Sequence, residues 1–209
     1  MKVTKFGQSC LLIEKAGKKL LIDPGGFFTE KHSLDELGGF DAVLFTHEHP
    51  DHLDQSLIPT MVEMKVQCIY ANESAAKLIG QAACVVNSGA GFEVAGFDIL
   101  PIDVPHFSLP AGYGDPPQNT AYVIDGTLIH PGDSSTWHKG LEAPNLAAPI
   151  GGPTGVEFVR EVVSFMKQAG TKKAIPIHYD HFKFDPSKFA DMAGNVEITV
   201  LADGESTEL

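Results

Sequence analysis

The stretch THEHPDHLD, residues 46–54, places His47, His49, His52 and several carboxylates in one short segment. Charged residues make up only 20% of the 209-residue chain, so this density of titratable groups is local. Residues 42–45 before it are apolar and predict a buried strand that ends where the polar segment begins. A solvated loop is one interpretation. We favour a metal site, because imidazole and carboxylate are ligands for zinc, manganese and iron.

The spacing inside the segment indicates two sets of ligands. Alternate residues of an extended chain share a side, so His47, His49 and Asp51 can converge. His52 directly follows Asp51 and faces elsewhere unless the chain turns there. A turn at Pro50 and Asp51 would give two diverging ligand sets, which two neighbouring ions can use and one ion cannot.

Other predicted strands also end at candidate ligands. LIHPGDSS, residues 128–135, leads to Asp133, and AIPIHYDHF, residues 174–182, leads to His178. Asp133 can instead be a simple turn residue, because Pro-Gly-Asp is typical of turns. LLIDPGG leads to Asp23, which we interpret as holding the ligand loop through backbone N–H groups without binding metal.

Composition limits the classes of function. The chain has 15 Lys and Arg against 27 Asp and Glu, a formal net charge of −12, which disfavours a nucleic-acid partner. No apolar run approaches the roughly 18 residues that cross a bilayer, and no export signal is visible, so we expect no membrane partner and a cytoplasmic location. Cys10, Cys68 and Cys84 are scattered and are predicted to be reduced.

Apolar patterns and turn residues predict the elements around these motifs. One helix is predicted over 154–170, with Thr154 and Glu157 as a capping box and Gly170 at its end. The apolar stripe of this helix is formed by Phe158, Val159, Val162, Phe165, Met166 and Ala169. Further helices are predicted near 55–64 and 72–80, and strands at 2–6, 10–15, 19–22, 84–87, 91–104, 119–125 and 127–130. The mixed pattern predicts an α/β sandwich, within one domain spanning residues 1–209.

The motif at residues 46–52 has the HxHxDH pattern and resembles the metallo-β-lactamase superfamily. His106, Asp133 and His178 follow in the order of that family, and the strand-to-DPGG entry at Asp23 resembles its first motif. The resemblance implies an α/β fold that is a four-layer αββα sandwich, with the site at one edge of two sheets. The small single-domain form is similar to the branch of ascorbate-6-phosphate lactonase-like proteins.

The resemblance also implies how the ligands are shared between two divalent ions. The first ion would take His47, His49 and His106, the second Asp51, His52 and His178, and Asp133 would bridge them. His106 can instead be a packed residue beside Phe107. His130 and His138 compete for its role, although His130, on a strand, is more simply explained as a hydrogen-bond partner of a ligand.

The predicted activity is hydrolysis of a small, anionic ester, lactone or phosphodiester by a hydroxide that bridges two metal ions. Zinc is the favoured metal, with manganese or iron as alternatives. Asp51 is the candidate proton shuttle, and His181 and Tyr179 are candidates for protonating the leaving group. The alternatives are a di-iron redox enzyme with the same ligands and a non-catalytic, metal-stabilised binding or regulatory protein. The partner expected is a small-molecule substrate.

The segment FSLPAGYGDPPQN, residues 107–119, is predicted to cover the metals and shape the substrate pocket. Phe107 and Tyr113 would form its apolar walls. A plain surface connection is the alternative.

Overall fold

The computed structural model describes residues 1–108 and 114–209. These residues form two compact units. The first contains Met1–Asn87, Glu93–Phe97 and Leu201–Leu209, and the second contains Ser88–Phe92 and Asp98–Val200. One domain over residues 1–209 stays a prediction.

The described chain contains runs of consecutive strands as well as strands separated by helices. The strands are β1 (Lys2–Phe6), β2 (Cys10–Lys15), β3 (Lys18–Ile22), β4 (Ala42–Phe45), β5 (Ile69–Ala71), β6 (Ala83–Val85), β7 (Phe92–Val94), β8 (Phe97–Pro105), β9 (Gln118–Ile124), β10 (Leu128–His130), β11 (Asn145–Pro149), β12 (Lys173–Ile177), β13 (Glu197–Ile198) and β14 (Ser206–Glu208). The helices are α1 (Gly26–Thr29), α2 (Ile58–Glu63), α3 (Glu73–Ile79), α4 (Val156–Ala169) and α5 (Pro186–Met192), with short 3-10 helices at Leu34–Leu37, Gln55–Leu57 and Gly80–Ala82. Within the described ranges, no helix is long and apolar enough to cross a bilayer.

The first sheet has the strand order β14-β1-β2-β3-β4-β5-β6. Strands β3, β4 and β5 are parallel, so their carboxyl ends share one edge, where Asp23, Thr46 and Asn72 follow them. Strand β2 is antiparallel to β3, so the turn at residues 7–9 before β2 lies at the same edge. This topology places one set of candidate ligands at one edge of the first sheet.

The second sheet has the strand order β13-β12-β11-β10-β9-β8-β7. Strands β10, β11 and β12 are parallel, and β9 is antiparallel to both β8 and β10. The carboxyl ends of β8, β10, β11 and β12 therefore share one edge. His106, Asp133, Gly151 and His178 follow these four ends.

Each unit has its own apolar core. In the first, residues of β2 to β5 pack with residues of α1, α2 and α3. In the second, residues of β8 to β12 pack with residues of α4 and α5. Every residue of the apolar stripe predicted for α4 is buried there, and Gly170 ends the helix in the left-handed conformation at φ 72°.

The capping box predicted for α4 is wrong. Gly155 is the N-cap residue, and no side chain caps the helix. Its φ of 59° lies in the region that glycine adopts most easily, so the backbone enters the helix through Gly155, without Thr154 and Glu157. The strand predicted over 91–104 is likewise two strands, β7 and β8, separated at Ala95 and Gly96.

The prediction that the cysteines are reduced is wrong for one pair. Cys68 and Cys84 form a disulfide, with their Cα atoms 6.2 Å apart. Cys68 precedes β5 and Cys84 lies in β6, and β5 and β6 are neighbours in the first sheet. The chain between the two cysteines passes through α3 and returns beside β5. The number and spacing of the cysteines do not reveal this pairing. Cys10 is a free, buried thiol.

Candidate metal centre

The ligand loop of the first unit turns where the sequence predicts. The carbonyl of His49 accepts hydrogen bonds from the backbone N–H groups of His52 at 2.9 Å and Leu53 at 2.8 Å. The chain therefore reverses at Pro50 and Asp51, and His52 does not continue the extended alternation.

Two glycines of the segment after β3 contact the backbone of this turn. The N–H of Gly26 donates to the carbonyl of Pro50 at 2.8 Å. A Cβ added at Gly25 would lie 2.1 Å from the carbonyl carbon and oxygen of Asp51 and 2.5 Å from the amide nitrogen of His52. The segment after β3 thus lies directly against the ligand loop, and Gly25 is needed for this close approach of two backbones.

Asp23 holds the loop from the end of β3. Its side chain is fully buried, and Oδ1 accepts a hydrogen bond from the backbone N–H of Thr46 at 2.8 Å. Oδ2 accepts from the Thr46 hydroxyl at 2.7 Å and lies 2.8 Å from Nδ1 of His52. The predicted role of Asp23, holding the loop through a backbone N–H, is confirmed and extends to two side chains.

These contacts set the tautomers of His47 and His52. A carboxylate only accepts, so Nδ1 of His52 carries the proton that bonds to Asp23. The Thr46 hydroxyl gives its hydrogen to Asp23 and therefore accepts from Nδ1 of His47, 3.0 Å away. In the neutral rings the lone pair lies on Nε2, the atom that metal-binding histidines present when Nδ1 is held in this way.

His49 and Asp51 are less buried. Nδ1 of His49 lies 3.2 Å from Nε2 of His47. Oδ2 of Asp51 accepts a hydrogen bond from Nε2 of Gln8 at 3.1 Å and lies 3.8 Å from Nε2 of His52. The two histidines and the Asp51–His52 pair form two groups on the loop, as the predicted turn requires.

The other two carboxylates of the motif have different partners. Glu48 accepts a hydrogen bond from the hydroxyl of Ser74 in α3. Asp54 caps the 3-10 helix that follows it, accepting from the N–H of Ser56 at 2.9 Å and from the Thr29 hydroxyl at 2.7 Å. Asp54 therefore caps the short helix after the motif, and Glu48 bonds to α3.

In the second unit, one carboxylate oxygen lies close to two histidines. Oδ2 of Asp133 is 3.1 Å from Nε2 of His178 and 3.4 Å from Nε2 of His106. Their side chains are at most 2% exposed. Asp133 does lie in a turn, as the alternative interpretation holds, but its carboxylate faces both rings.

The tautomers of these two histidines are also set by acceptors. Nδ1 of His106 lies 2.7 Å from the carbonyl oxygen of Phe107, and Nδ1 of His178 lies 2.8 Å from that of Gly151. Since a carbonyl only accepts, each Nδ1 carries a proton, and each neutral ring directs the lone pair of Nε2 at the carboxylate of Asp133.

This donor set fits a metal ion. A carboxylate oxygen repels the lone pair of a neutral imidazole, and a cation held by both atoms removes the repulsion. Two ligand atoms bound tetrahedrally to zinc at about 2.0–2.1 Å lie about 3.3 Å apart. Oδ2 of Asp133 lies 3.1 Å from Nε2 of His178 and 3.4 Å from Nε2 of His106, which agrees with this spacing.

His178 stands in an unusual backbone conformation. Its φ is 59°, and a Cβ added at the neighbouring Gly151 would lie 1.9 Å from the His178 carbonyl oxygen. A non-glycine residue with positive φ costs about 1–3 kcal/mol and persists where its surroundings impose it. Here the close approach of Gly151 and its bond to the ring direct the side chain toward Asp133.

Asn119 positions Asp133 and was not found from the sequence. Its Oδ1 accepts a hydrogen bond from the N–H of Asp133 at 3.2 Å, and its Nδ2 donates to the carbonyl of Pro131 at 3.0 Å. Asn119 lies opposite Val104 in the β8–β9 register, beside the strand end that leads to His106. Only the strand pairing reveals this position.

The two competing histidines lie in different environments. His130 is fully buried, and its Nδ1 accepts a hydrogen bond from the N–H of Gly132 at 3.3 Å, within the turn that carries Asp133. It therefore supports the turn before the candidate ligand. His138 is exposed, and its Nδ1 lies 2.8 Å from the carbonyl oxygen of Lys139.

The candidates for the leaving-group acid differ in burial. Tyr179 is partly buried against the core of the second unit, and burial, followed by the charge of Asp180, raises the pKa of its phenol. His181 is exposed, with its ring centroid 5.0 Å from that of Phe182.

Phe107, one predicted wall of the pocket, lies in an aromatic cluster. Its ring centroid is 5.5 Å from that of Phe158 and 6.0 Å from that of His178. The other predicted wall, Tyr113, lies outside the described residues, as do residues 109–112 of the segment that would cover the metals. The covering role of residues 107–119 stays a prediction.

Comparison with known proteins supports the motif-based resemblance. Residues 2–178 match the family model of the beta-lactamase superfamily domain. A "UPF0173 metal-dependent hydrolase" of Pyrococcus furiosus is 30% identical, with all of both chains covered.

Solved structures also resemble this fold. Igni18, described as a novel metallo hydrolase from Ignicoccus hospitalis, has a TM-score of 0.78 at 23% identity, with 100% of this chain and 98% of the other covered. The metallo-beta-lactamase fold protein YhfI from Bacillus subtilis has a TM-score of 0.71 at 18% identity, with 99% and 98% covered. The predicted fold class is confirmed, while the lactonase-like branch stays a prediction. With the motif, the matched family model and the relatives in agreement, this chain belongs to the metallo-β-lactamase superfamily and is a metal-dependent hydrolase.

Proposed function

We propose that the protein is a binuclear metallohydrolase that acts on a small, anionic ester, lactone or phosphodiester. The observation that carries the proposal is the contact of one Asp133 oxygen with the Nε2 atoms of both His106 and His178. The resemblance assigns these two histidines to different ions. A carboxylate that lies close to both histidines is suited to bridge the two ions.

The proposed ligands follow the assignment that the family resemblance implies. His47, His49 and His106 would hold the first ion, Asp51, His52 and His178 would hold the second, and Asp133 would be common to both. Four of the five histidines have Nδ1 held by an oxygen within their own unit, which leaves Nε2 as the ligand atom. This preset orientation supports metal binding over a solvated polar loop.

When bound, a pair of divalent ions supplies hydroxide near neutral pH and polarises a carbonyl or phosphoryl oxygen of the substrate. The carboxylates of Asp51 and Asp133 offset two of the four positive charges. The remaining positive charge favours an anionic substrate, even though the whole chain has a formal net charge of −12.

The residues around the ions have separate tasks in this proposal. Asp51 is less buried than Asp133, and we assign to its carboxylate the transfer of the proton released when water is activated. We assign protonation of the leaving group to Tyr179 or His181, which follow His178 within three residues. The side chain of Tyr179 is more buried than that of His181.

The ligand chemistry favours zinc, with manganese and iron as alternatives. All proposed ligand atoms are nitrogen or oxygen, and the cysteines of the chain are bonded to each other or buried. We propose two ions per chain.

One experiment tests both metal and reaction. Protein produced without added zinc is analysed for first-row metals, and zinc-, manganese- and iron-loaded samples are assayed on a panel of lactones, phosphodiesters and thioesters. About two ions per chain and metal-dependent hydrolysis of an anionic member support the proposal. Two iron atoms with redox turnover and no hydrolysis would support the di-iron alternative. No bound metal under conditions that deprotonate the ligands would refute the binuclear site.

A further inference from the structure

Gln8 contacts a proposed ligand from outside the motifs. It lies in the turn between β1 and β2, is 1% exposed, and its Nε2 donates a hydrogen bond to Oδ2 of Asp51 at 3.1 Å. We propose that Gln8 is a positioning residue that sets the orientation of the Asp51 carboxylate toward the second ion. The inference rests on the proposed function, because it concerns a ligand and proton carrier of that site.

Asp51 needs such a partner more than the other carboxylate ligand does. Its side chain is 27% exposed, whereas that of Asp133 is 2% exposed. It also lies in the turn after Pro50, where a carboxylate can rotate about its side-chain bonds. A hydrogen bond to Oδ2 fixes this rotation. A carboxamide suits the task, because its N–H orients the carboxylate without supplying a charge or a competing titratable group.

The turn that carries Gln8 is itself fixed. The N–H of Gly7 donates to Oδ1 of Asp203 at 2.8 Å, and the Gly7 carbonyl accepts from Nζ of Lys5 at 2.5 Å. Gly7 has a φ of 55°, and a Cβ added there would lie 2.8 Å from the Phe27 carbonyl oxygen. Because this backbone is held from several sides, the reach of residue 8 depends on the length of its side chain.

Two substitutions remove the bond in different ways. Gln8→Asn keeps the amide but shortens the side chain by one methylene, about 1.5 Å, which takes the donor out of range of Asp51. Gln8→Met keeps the length and approximate volume but has no N–H donor. Gln81→Asn is the matched control, because it shortens an exposed glutamine of the same unit.

The test uses Co²⁺ as the probe. Full-length variants are titrated with Co²⁺ in competition with a chelator, and the visible absorption of each bound ion is recorded beside thermal unfolding. We expect Gln8→Asn and Gln8→Met to weaken the second-bound Co²⁺ about tenfold or more and to change its absorption band, with the first ion within about twofold of the wild type. On a substrate identified by the panel, kcat should fall about tenfold with little change in KM.

Two results separate the inference from the proposed function. Wild-type protein that binds two Co²⁺ ions and hydrolyses substrate, with folded Gln8 variants that match it in affinity and absorption, overturns the positioning role and leaves the function intact. Wild-type protein that binds fewer than two ions overturns both. If one Gln8 variant unfolds, the variant that remains folded decides the test. If Gln81→Asn also loses the second ion, the effect comes from general destabilisation, and the assignment of Gln8 is overturned.

Discussion

Oδ2 of Asp23 lies 2.8 Å from Nδ1 of His52, and neither side chain has any solvent exposure. The same oxygen accepts a hydrogen bond from the Thr46 hydroxyl, and this hydroxyl accepts a hydrogen bond from Nδ1 of His47. One buried carboxylate thus orients one histidine for each of the two proposed ions. This connects the short motif after β3 with the longer one after β4.

Asp23→Asn tests that connection. An asparagine keeps the volume but presents either an amide oxygen without charge or an N–H that faces another donor, so the orientation of His52 and Thr46 is weakened. We expect metal affinity to fall about 10- to 100-fold, measured by competition with a chelator. Asp185→Asn is the control, because Asp185 caps α5 and asparagine caps a helix equally well. Equal affinity in the two variants would contradict the role of Asp23.

Gly25→Ala tests the close approach of two backbones. Because the new Cβ would lie 2.1 Å from the Asp51 carbonyl, the ligand loop must move, and we expect a loss of about 1–3 kcal/mol in the free energy of unfolding together with weaker metal binding. Gly26→Ala is the adjacent control, since its Cβ would meet only the Pro50 carbonyl oxygen, at 3.5 Å. Urea unfolding of both variants makes the comparison. A Gly25→Ala protein as stable as Gly26→Ala would show that the loop does not need this contact.

The ligand loop could be predicted from the sequence because its information is local. His47, His49 and His52 lie within six residues, and a buried strand before them shows which end of the strand they follow. Asp133 and His178 are predicted as ligands for the same reason, because they follow apolar strands. His106 has no such local signal and depended on the resemblance to the family.

Two further supporting residues, Gln8 and Asn119, could not be predicted, because they act across strand pairs. Gln8 meets a residue 43 positions away, and Asn119 meets Asp133 across the β9–β10 region. The Cys68–Cys84 disulfide likewise depends on β5 and β6 being neighbours. The order of strands in a sheet decides such contacts, and apolar periodicity does not contain that order.

Asp203 gives the first unit a dependence on pH. Burial acts to raise the pKa of this carboxyl, but hydrogen bonds from Gly7 and His32 and the nearby charges of His32 and Lys31 outweigh it, so the pKa lies below its ordinary value of 3.8. A group whose pKa is lower in the folded state stabilises the protein above the unfolded value, and this contribution is lost as the pH falls through the folded value.

Asp203→Asn removes this contribution. We expect the variant to be less stable than the wild type at pH 7, and the difference to shrink as the pH falls below about 4, because the wild-type carboxyl then becomes neutral as well. Urea midpoints at pH 7, 4 and 3 provide the measurement. The exposed Asp191→Asn serves as the control. A constant difference across this range would mean that the Asp203 charge does not contribute.

Tyr179→Phe and His181→Ala distinguish the two candidates for the leaving-group acid. The variant that lacks the true acid should lose about 10²- to 10⁴-fold in kcat on substrates with poor, basic leaving groups and much less on nitrophenyl analogues, whose leaving groups need no proton. We expect this pattern for Tyr179→Phe, because the Tyr179 side chain is the more buried of the two and keeps its proton at neutral pH. Initial rates on a leaving-group series provide the measurement. An equal loss across the series would instead indicate a role in binding the substrate.

Asp133→Asn is the sharpest test of the binuclear centre. Asparagine keeps the volume and one acceptor oxygen but removes the charge that lies 3.1 Å from Nε2 of His178 and 3.4 Å from Nε2 of His106. If Asp133 bridges two ions, the variant should fold, retain at most one ion and lose most turnover, because two neighbouring cations are then less screened. It should also lose more metal than either His106→Ala or His178→Ala, each of which removes a ligand of one ion only. The turn interpretation predicts the opposite, since asparagine is a near-neutral replacement for aspartate in a turn. Elemental analysis of the three variants and of the exposed control Asp191→Asn decides between them: an Asp133→Asn protein with two tightly held ions and normal activity would rule out the bridge.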